Sequence, residues 1–162
     1  MLPGPSSSSP SPESQPPRVV AWLGYGGLVP FVGLAAASLM GVAPAAAVQA
    51  MLAYGAVILS FVGALHWAFA MVLPGVPESR RSWMYAWSTV PALLAWPALL
   101  LEPGVGAVIL VAAFAIHYLQ DRRLVALASL PAWYLPLRLR LSTVATLCLL
   151  APGLKSAALA GG

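Results

Sequence analysis

Charged residues are scarce throughout this chain. Only 7% of its 162 residues are Asp, Glu, Lys or Arg, whereas an ordinary soluble domain carries roughly 25%. A water-soluble fold of this length needs polar side chains to cover its surface, so this scarcity excludes that class of protein. Hydrophobic residues make up 60% of the chain, and the mean hydropathy is +0.87. The composition predicts an integral membrane protein.

Cysteine and the common catalytic motifs are also lacking. Cys148 is the only cysteine, which excludes an intramolecular disulfide or a multi-thiolate metal site. The sequence shows no Gly-rich phosphate loop and no metal-ligand spacing. The glycines at 24, 26 and 27 open an apolar run and follow no strand, unlike a dinucleotide-binding motif. We therefore predict that the protein is not an enzyme and expect no cofactor.

The basic residues alternate with the apolar runs. Seven of the eight precede the first run, separate the second from the third, or separate the fourth from the fifth: Arg18, Arg80, Arg81, Arg122, Arg123, Arg138 and Arg140. The positive-inside rule places these segments in the cytoplasm. The pattern predicts an all-α polytopic membrane protein with five transmembrane helices, a cytoplasmic N-terminus and an external C-terminus. Because topology accounts for the arginines, we expect no nucleic-acid partner.

A bilayer-crossing helix needs about 20 apolar residues, and the predicted spans are 19–40, 48–73, 83–101, 105–120 and 137–154. They form one helical membrane domain, 19–154, between a disordered Pro/Ser-rich tail, 1–18, and a short C-terminal tail, 155–162. A cleaved signal peptide is the alternative for the first run. That run is longer than the apolar region of a signal peptide, which usually has 7–15 residues. Residues 78–81 are predicted to form a cytoplasmic loop. Residues 124–136, which contain Pro131 and Pro136, are predicted to form an interfacial connector.

Small residues recur at every fourth position of the second predicted span. They are Ala56, Ser60, Ala64 and Ala68. Lipid gives no hydrophobic drive between helices, so close backbone approach at small residues holds membrane helices together. The pattern predicts that this stripe packs against a neighbouring helix.

The two histidines lie inside predicted spans. His66 lies about 10 Å from the cytoplasmic end of the second span, and His117 about 6 Å from that end of the fourth. Both helices run in the same direction, so the two imidazoles lie at similar depth. This arrangement permits a proton relay, a metal site or bis-His haem ligation. In the alternative interpretation, His66 only hydrogen-bonds Ser60 or a backbone carbonyl of a neighbouring helix.

Six arginines are expected to converge on the cytoplasmic face of the bundle. They are Arg80, Arg81, Arg122, Arg123, Arg138 and Arg140. Such a face binds anionic lipid headgroups or a phosphate-bearing solute. Alternatively, these residues only fix the topology of the chain.

Four segments of the chain match a known pattern. The stretch 54–67, YGAVILSFVGALHW, resembles the YGAxILSFxGxxHW signature of the transmembrane-protein-69-like family. The segments GGLVPF at 26–31, STVP at 88–91 and PAWYLPLR at 131–138 are similar to other motifs of that family. Ser142 stands where the family usually has Thr. The resemblance implies a membrane domain of unknown function, found in bacterial inner membranes and in mitochondria, and we expect this chain in the bacterial inner membrane. It also adds Tyr54, Ser60 and Trp67 to the two histidines as candidate functional residues.

Two functions fit these features. No predicted span contains Asp or Glu, although coupled transporters usually need such a residue. We therefore expect a non-enzymatic accessory or assembly component of a membrane complex, with the lipid bilayer and a membrane protein or a second copy as partners. The alternative is a protein that handles a small solute or a lipid through His66 and the arginine face.

Overall fold

The computed structural model describes residues 15–160, which form six α-helices and no strand. The helices are α1 (Arg18–Gly26), α2 (Val29–Leu39), α3 (Pro44–Val72), α4 (Glu78–Ala98), α5 (Pro103–Val125) and α6 (Tyr134–Ala160). Most of the predicted disordered tail lies outside the described residues, as do positions 161 and 162. The all-α prediction is confirmed for the part of the chain that the structure describes.

Four helical segments are long and apolar enough to cross a membrane. They are Arg18–Leu39, Pro44–Val72, Pro103–Val125 and Tyr134–Lys155. This finding confirms a polytopic helical membrane protein. Helix α4 has 21 residues but is less apolar, because Glu78, Arg80 and Arg81 occupy its first turns.

The first candidate span consists of two helices. Helix α1 ends at Gly26 and α2 begins at Val29. Pro30 lacks an N–H and its ring crowds the preceding turn, which explains the interruption. The Tyr54 hydroxyl on α3 donates to the Gly27 carbonyl at 2.9 Å and satisfies a backbone group at this break.

Helix α4 begins earlier than its predicted span. Residues 78–81, predicted to form a loop, are its first turn, so that prediction is wrong. The connector is limited to 73–77 and turns at Gly75, where φ is +71°. Glu78 lies in the first helical turn, where a carboxylate is favoured by the helix dipole.

The small-residue stripe on α3 begins in the core and turns outward along the helix. Ala56 is buried, but Ala64 and Ala68 are exposed, and the Ser60 hydroxyl bonds the Ala56 carbonyl of its own helix. Gly63 makes the close approach instead, since a Cβ there would lie 2.8 Å from Pro91 Cγ. The predicted packing face is therefore wrong at Ala64 and Ala68, which the helix turns outward, although Ala56 does pack in the core.

A continuous apolar core joins α2, α3, α4, α5 and α6. Its largest fully buried members are Phe31, Met51, Leu52, Leu59 and Leu110. Toward the arginine-bearing ends of α4 and α5 the core gives way to polar side chains. Those side chains form the candidate site.

Candidate functional site

Asp121 on α5 is fully buried, with 0% of its surface exposed. The Nε atom of Arg138 donates to its Oδ2 atom at 2.8 Å, and the Tyr134 hydroxyl donates to Oδ1 at 3.1 Å. A buried carboxylate is costly unless a counter-charge and hydrogen bonds compensate for the lost water. The first turns of α6 supply both. We call Asp121, Arg138, Tyr134, His66 and His117 the buried polar cluster.

Both imidazoles face the same carboxylate oxygen. The Nε2 atoms of His66 and His117 each lie 3.8 Å from Oδ1 of Asp121. The two rings are in edge-to-face contact, with centroids 4.9 Å apart and planes at 67°. The sequence predicts that the two histidines lie at similar depth, and in the structure their rings are in direct contact.

A tryptophan orients one of the histidines. The Trp87 indole N–H on α4 donates to Nδ1 of His117 at 3.3 Å. Because Nδ1 accepts this bond, the proton of a neutral His117 is on Nε2 and faces Asp121. Trp83, Trp87 and His117 stack in a row, with centroids 6.2 and 6.3 Å apart, so aromatic rings lead from the surface to the cluster.

His66 differs from His117 in its hydrogen bonding. Its exposed fraction is 3%, and neither ring nitrogen has a hydrogen-bond partner among the described residues. A buried polar group normally has such a partner. His66 is therefore the imidazole of the cluster whose two nitrogens both lack a partner, so one nitrogen can accept a proton and the N–H of the other can donate to a ligand.

Helix register brings these side chains together. His117 and Asp121 are four residues apart on one face of α5, as are Tyr134 and Arg138 on α6. Helix α4 comes close to α3 at Gly63, which allows Trp87 to reach His117. Four helices thus contribute to a site that no local sequence motif contains.

The cluster includes the elements of a metal site but does not fit one well. Ligand atoms of His66, His117 and Asp121 all lie within 4.8 Å of one another. However, Nε2 of His117 carries a proton when Nδ1 accepts from Trp87, and a metal needs the lone pair of that nitrogen. Arg138 also already balances the carboxylate charge. The arrangement disfavours a divalent cation.

Haem ligation is disfavoured by packing. The His66 and His117 rings touch each other, so no macrocycle fits between them. The space beside His66 amounts to about 20 Å³, far less than a porphyrin requires. The two histidines do not form a bis-His haem site in this conformation.

The small space beside His66 opens toward the arginines. It is lined by His66, Gln120, two tryptophans, three apolar side chains, Arg80 and Arg123. A volume of this size holds about one water molecule. We call it the arginine crevice, and it connects the buried polar cluster to the arginine-bearing end of the bundle.

An apolar groove of about 440 Å³ lies on another side of the cluster. It runs between α1, α2, α3 and α6, and Tyr134 and Arg138 form part of its wall. The same two side chains hold Asp121. The groove therefore ends at groups that also belong to the cluster.

The remaining predicted residues lie apart from the cluster. The Tyr54 hydroxyl donates to the Gly27 carbonyl at the break in the first span. The Ser60 hydroxyl donates to the Ala56 carbonyl of its own helix. Trp67 is 49% exposed and contacts Tyr85, with ring centroids 4.9 Å apart. Of the five candidates, the structure brings together His66 and His117.

The six arginines do not form one uniform face. Arg81 donates to the carbonyls of Ala70 and Leu73 at the end of α3, and Arg138 points inward to Asp121. Arg80, Arg122, Arg123 and Arg140 are exposed. Arg138 was expected to reach the headgroups with the others, and the buried carboxylate explains the difference.

The site predicted from the sequence did not include Asp121, Tyr134 or Trp87. The predicted fourth span ended at residue 120, because Asp121 precedes two arginines in the sequence. The structure continues α5 to Val125, so an acidic residue does lie in a candidate span. The spacing of His117 and Asp121 was the signal available in the sequence.

Comparisons with known proteins agree with this architecture. Residues 16–152 match the model of a family described as "Protein of unknown function (DUF3429)". The chain is also 40% identical over 142 residues to transmembrane protein 69 of Xenopus tropicalis, an alignment that covers 82% of this chain and 53% of the relative. The chain thus spans about half the length of that curated relative. No solved structure matches. The resemblance seen in the sequence motifs is confirmed, and the chain belongs to the DUF3429 family of proteins of unknown function, the transmembrane-protein-69-like family.

Proposed function

We propose that this membrane protein handles a small solute and exchanges a proton at His66 within the buried polar cluster. One observation carries the proposal. His66 is buried, has no hydrogen-bond partner among the described residues and lies 3.8 Å from the Asp121 carboxylate. An ionisable side chain inside a membrane span costs free energy to bury, and such a residue usually has a function.

Charge balance supports a proton as the exchanged ion. With neutral histidines, Asp121 and Arg138 cancel and the net charge of the cluster is zero. A proton on His66 adds one positive charge beside a carboxylate and makes both ring nitrogens N–H donors. A divalent cation adds twice that charge in a low-dielectric interior, where unbalanced charge is costly.

The arginine crevice gives this proton a route. It reaches His66 from the surface of the bundle and has room for about one water molecule. The exposed guanidinium groups of Arg80 and Arg123 line it. Proton exchange would therefore take place with the arginine-bearing side of the membrane.

We further propose that α4 also crosses the membrane, for a total of five spans. Its residues pair antiparallel with α3, from Arg81 beside Ala70 to Pro91 beside Gly63. Its far end packs at Ala98 against Gly106 of α5. Because α4 lies alongside the candidate spans α3 and α5, it extends through the same depth of the membrane. The arginine-bearing ends then share one side, which the positive-inside rule makes the cytoplasm.

The bacterial inner membrane is the location we propose for this topology. The frog relative shows that proteins similar to this chain also occur in eukaryotes. The positive-inside rule orients the helices in either setting. A fluorescent-protein fusion at each terminus, combined with protease protection in isolated membranes, tests the five-span arrangement because an odd number of spans puts the termini on opposite sides.

A role as an accessory or assembly component is the second candidate. The observation that favours it is the outward position of Ala64 and Ala68 on α3, where a partner helix can approach closely. Mass spectrometry of proteins that co-purify from native membranes tests it. A stoichiometric partner that is lost in Ala64→Leu, but kept in Thr89→Val on the exposed side of α4, would establish this role.

Proton exchange is tested on the purified protein in lipid bilayers. The ¹⁵N signals of the histidine side chains are recorded across neutral and acidic pH, and His66→Gln assigns them. We expect the His66 signals to titrate with pH. If they keep one protonation state throughout, the proposed function is wrong.

A further inference from the structure

We propose that the arginine crevice binds a phosphate group or a comparable oxyanion between Arg80 and Arg123. This site goes beyond proton exchange, because it assigns a chemical class of ligand. It does not depend on titration of His66. The proposal rests on the positive charge of the crevice and on the residues that form its wall and floor.

The charge of the crevice is positive and unbalanced. Arg80 on α4 and Arg123 on α5 both line it and are exposed. Neither makes an ion pair within residues 15–160. No carboxylate belongs to the lining, and the adjacent Asp121 is already bonded to Arg138 and Tyr134. Two guanidinium groups therefore face the crevice without an acidic partner.

The wall and floor are built from ordered groups. Trp83 and Trp87 stack on one side, with their planes at 26°. Gln120 accepts from Arg123 Nη1 at 3.4 Å on the other. The floor is His66, whose ring nitrogens have no hydrogen-bond partner within the described part of the chain. A buried, unpartnered imidazole below two unpaired cations indicates a binding site rather than a solvated surface.

An oxyanion matches this set of groups. A guanidinium presents planar donors that fit phosphate oxygens, and charge-assisted bonds of this kind are strong. The enclosed space holds about one water molecule. The oxyanion would therefore lie at the mouth with the two guanidinium groups, and one oxygen or one water molecule would face His66.

The phosphate group has two sources, a lipid headgroup at the membrane surface or a free ion in solution. The experiment uses the full chain in phosphatidylcholine bilayers. One series is titrated with inorganic phosphate, and the other contains increasing phosphatidic acid, with binding followed by Trp fluorescence because Trp83 and Trp87 line the crevice.

We expect saturable binding and a loss of affinity of about tenfold to a hundredfold in Arg80→Gln with Arg123→Gln, as expected for the loss of charged hydrogen bonds. Arg122→Gln is the matched control, because Arg122 is also exposed and adjacent in sequence but does not line the crevice. Its affinity should be unchanged.

Binding of inorganic phosphate supports a free solute, and binding of phosphatidic acid alone supports a headgroup. Absence of saturable binding in both series would overturn the proposal. So would an equal loss in Arg122→Gln, which indicates general attraction to a basic surface. Either result leaves the His66 titration unaffected, so failure here is distinct from failure of proton exchange.

Discussion

The Nε2 atom of His66 on α3 lies 3.8 Å from Oδ1 of Asp121 on α5. The imidazole and the carboxylate are both buried. Arg138 and Tyr134 already occupy the carboxylate with hydrogen bonds, whereas the imidazole has no such partner within the described residues. Because of this difference, our proposal assigns the exchanged proton to His66 and gives Asp121 the role of a nearby negative charge.

Replacing Asp121 by Asn should destabilise the protein by about 3–5 kcal/mol, because it leaves Arg138 buried without its counter-charge. Thermal unfolding in detergent measures the loss. Glu78→Gln removes an exposed carboxylate and should leave the unfolding temperature nearly unchanged. Equal stabilities of the two variants would contradict the buried ion pair.

Replacing Trp87 by Phe should release His117 from its fixed tautomer. The change removes the indole N–H that donates to Nδ1 but keeps an aromatic ring in the stack. Side-chain ¹⁵N spectra should show one His117 tautomer in the wild type and a mixture in the variant. Trp96→Phe is the control, since Trp96 is 66% exposed on the same helix. If His117 gives identical spectra in all three proteins, the Trp87 hydrogen bond does not set the tautomer.

The close approach of α3 and α4 can be tested at one glycine. Gly63→Ala should destabilise the fold by about 1–3 kcal/mol, because the new methyl group meets Pro91 and the Ser88 carbonyl. Gly33→Ala is a matched control, since a Cβ at Gly33 meets nothing within 4 Å. We expect it to be neutral or slightly stabilising. A Gly63→Ala protein as stable as Gly33→Ala would be inconsistent with this packing.

The donor set of the cluster also predicts the response to metal ions. Because His117 Nε2 carries a proton and Arg138 balances Asp121, added Zn²⁺ should not raise the unfolding temperature. Elemental analysis after purification without chelator should show less than one metal ion per chain. A stoichiometric metal that is absent from Asp121→Asn would show that the cluster is a metal site.

The class of protein could be predicted from the sequence, because few charged residues and long apolar runs are typical of a chain that lies in lipid. It was less informative on which face of α3 is buried. Ala56, Ser60, Ala64 and Ala68 are small, but Gly63 permits the closer contact, and a lipid-facing surface tolerates small residues equally well.

The candidate site was predictable in part. The equal depth of His66 and His117 follows from helix direction and distance from the helix ends. The partners of Asp121 do not, because Arg138 is one of two arginines near the start of α6 and only the three-dimensional packing shows which one turns inward. Arg140 remains outside, beside the Tyr25 hydroxyl at 3.5 Å.

The side-chain ¹⁵N spectrum of His66 in lipid bilayers, recorded as a function of pH, tests the central claim most directly. Signals assigned through His66→Gln should move between the neutral and the doubly protonated imidazole, and Asp121→Asn should shift that transition to lower pH by removing the neighbouring negative charge. A His66 imidazole that keeps the same protonation state over the whole range would contradict proton exchange at this residue.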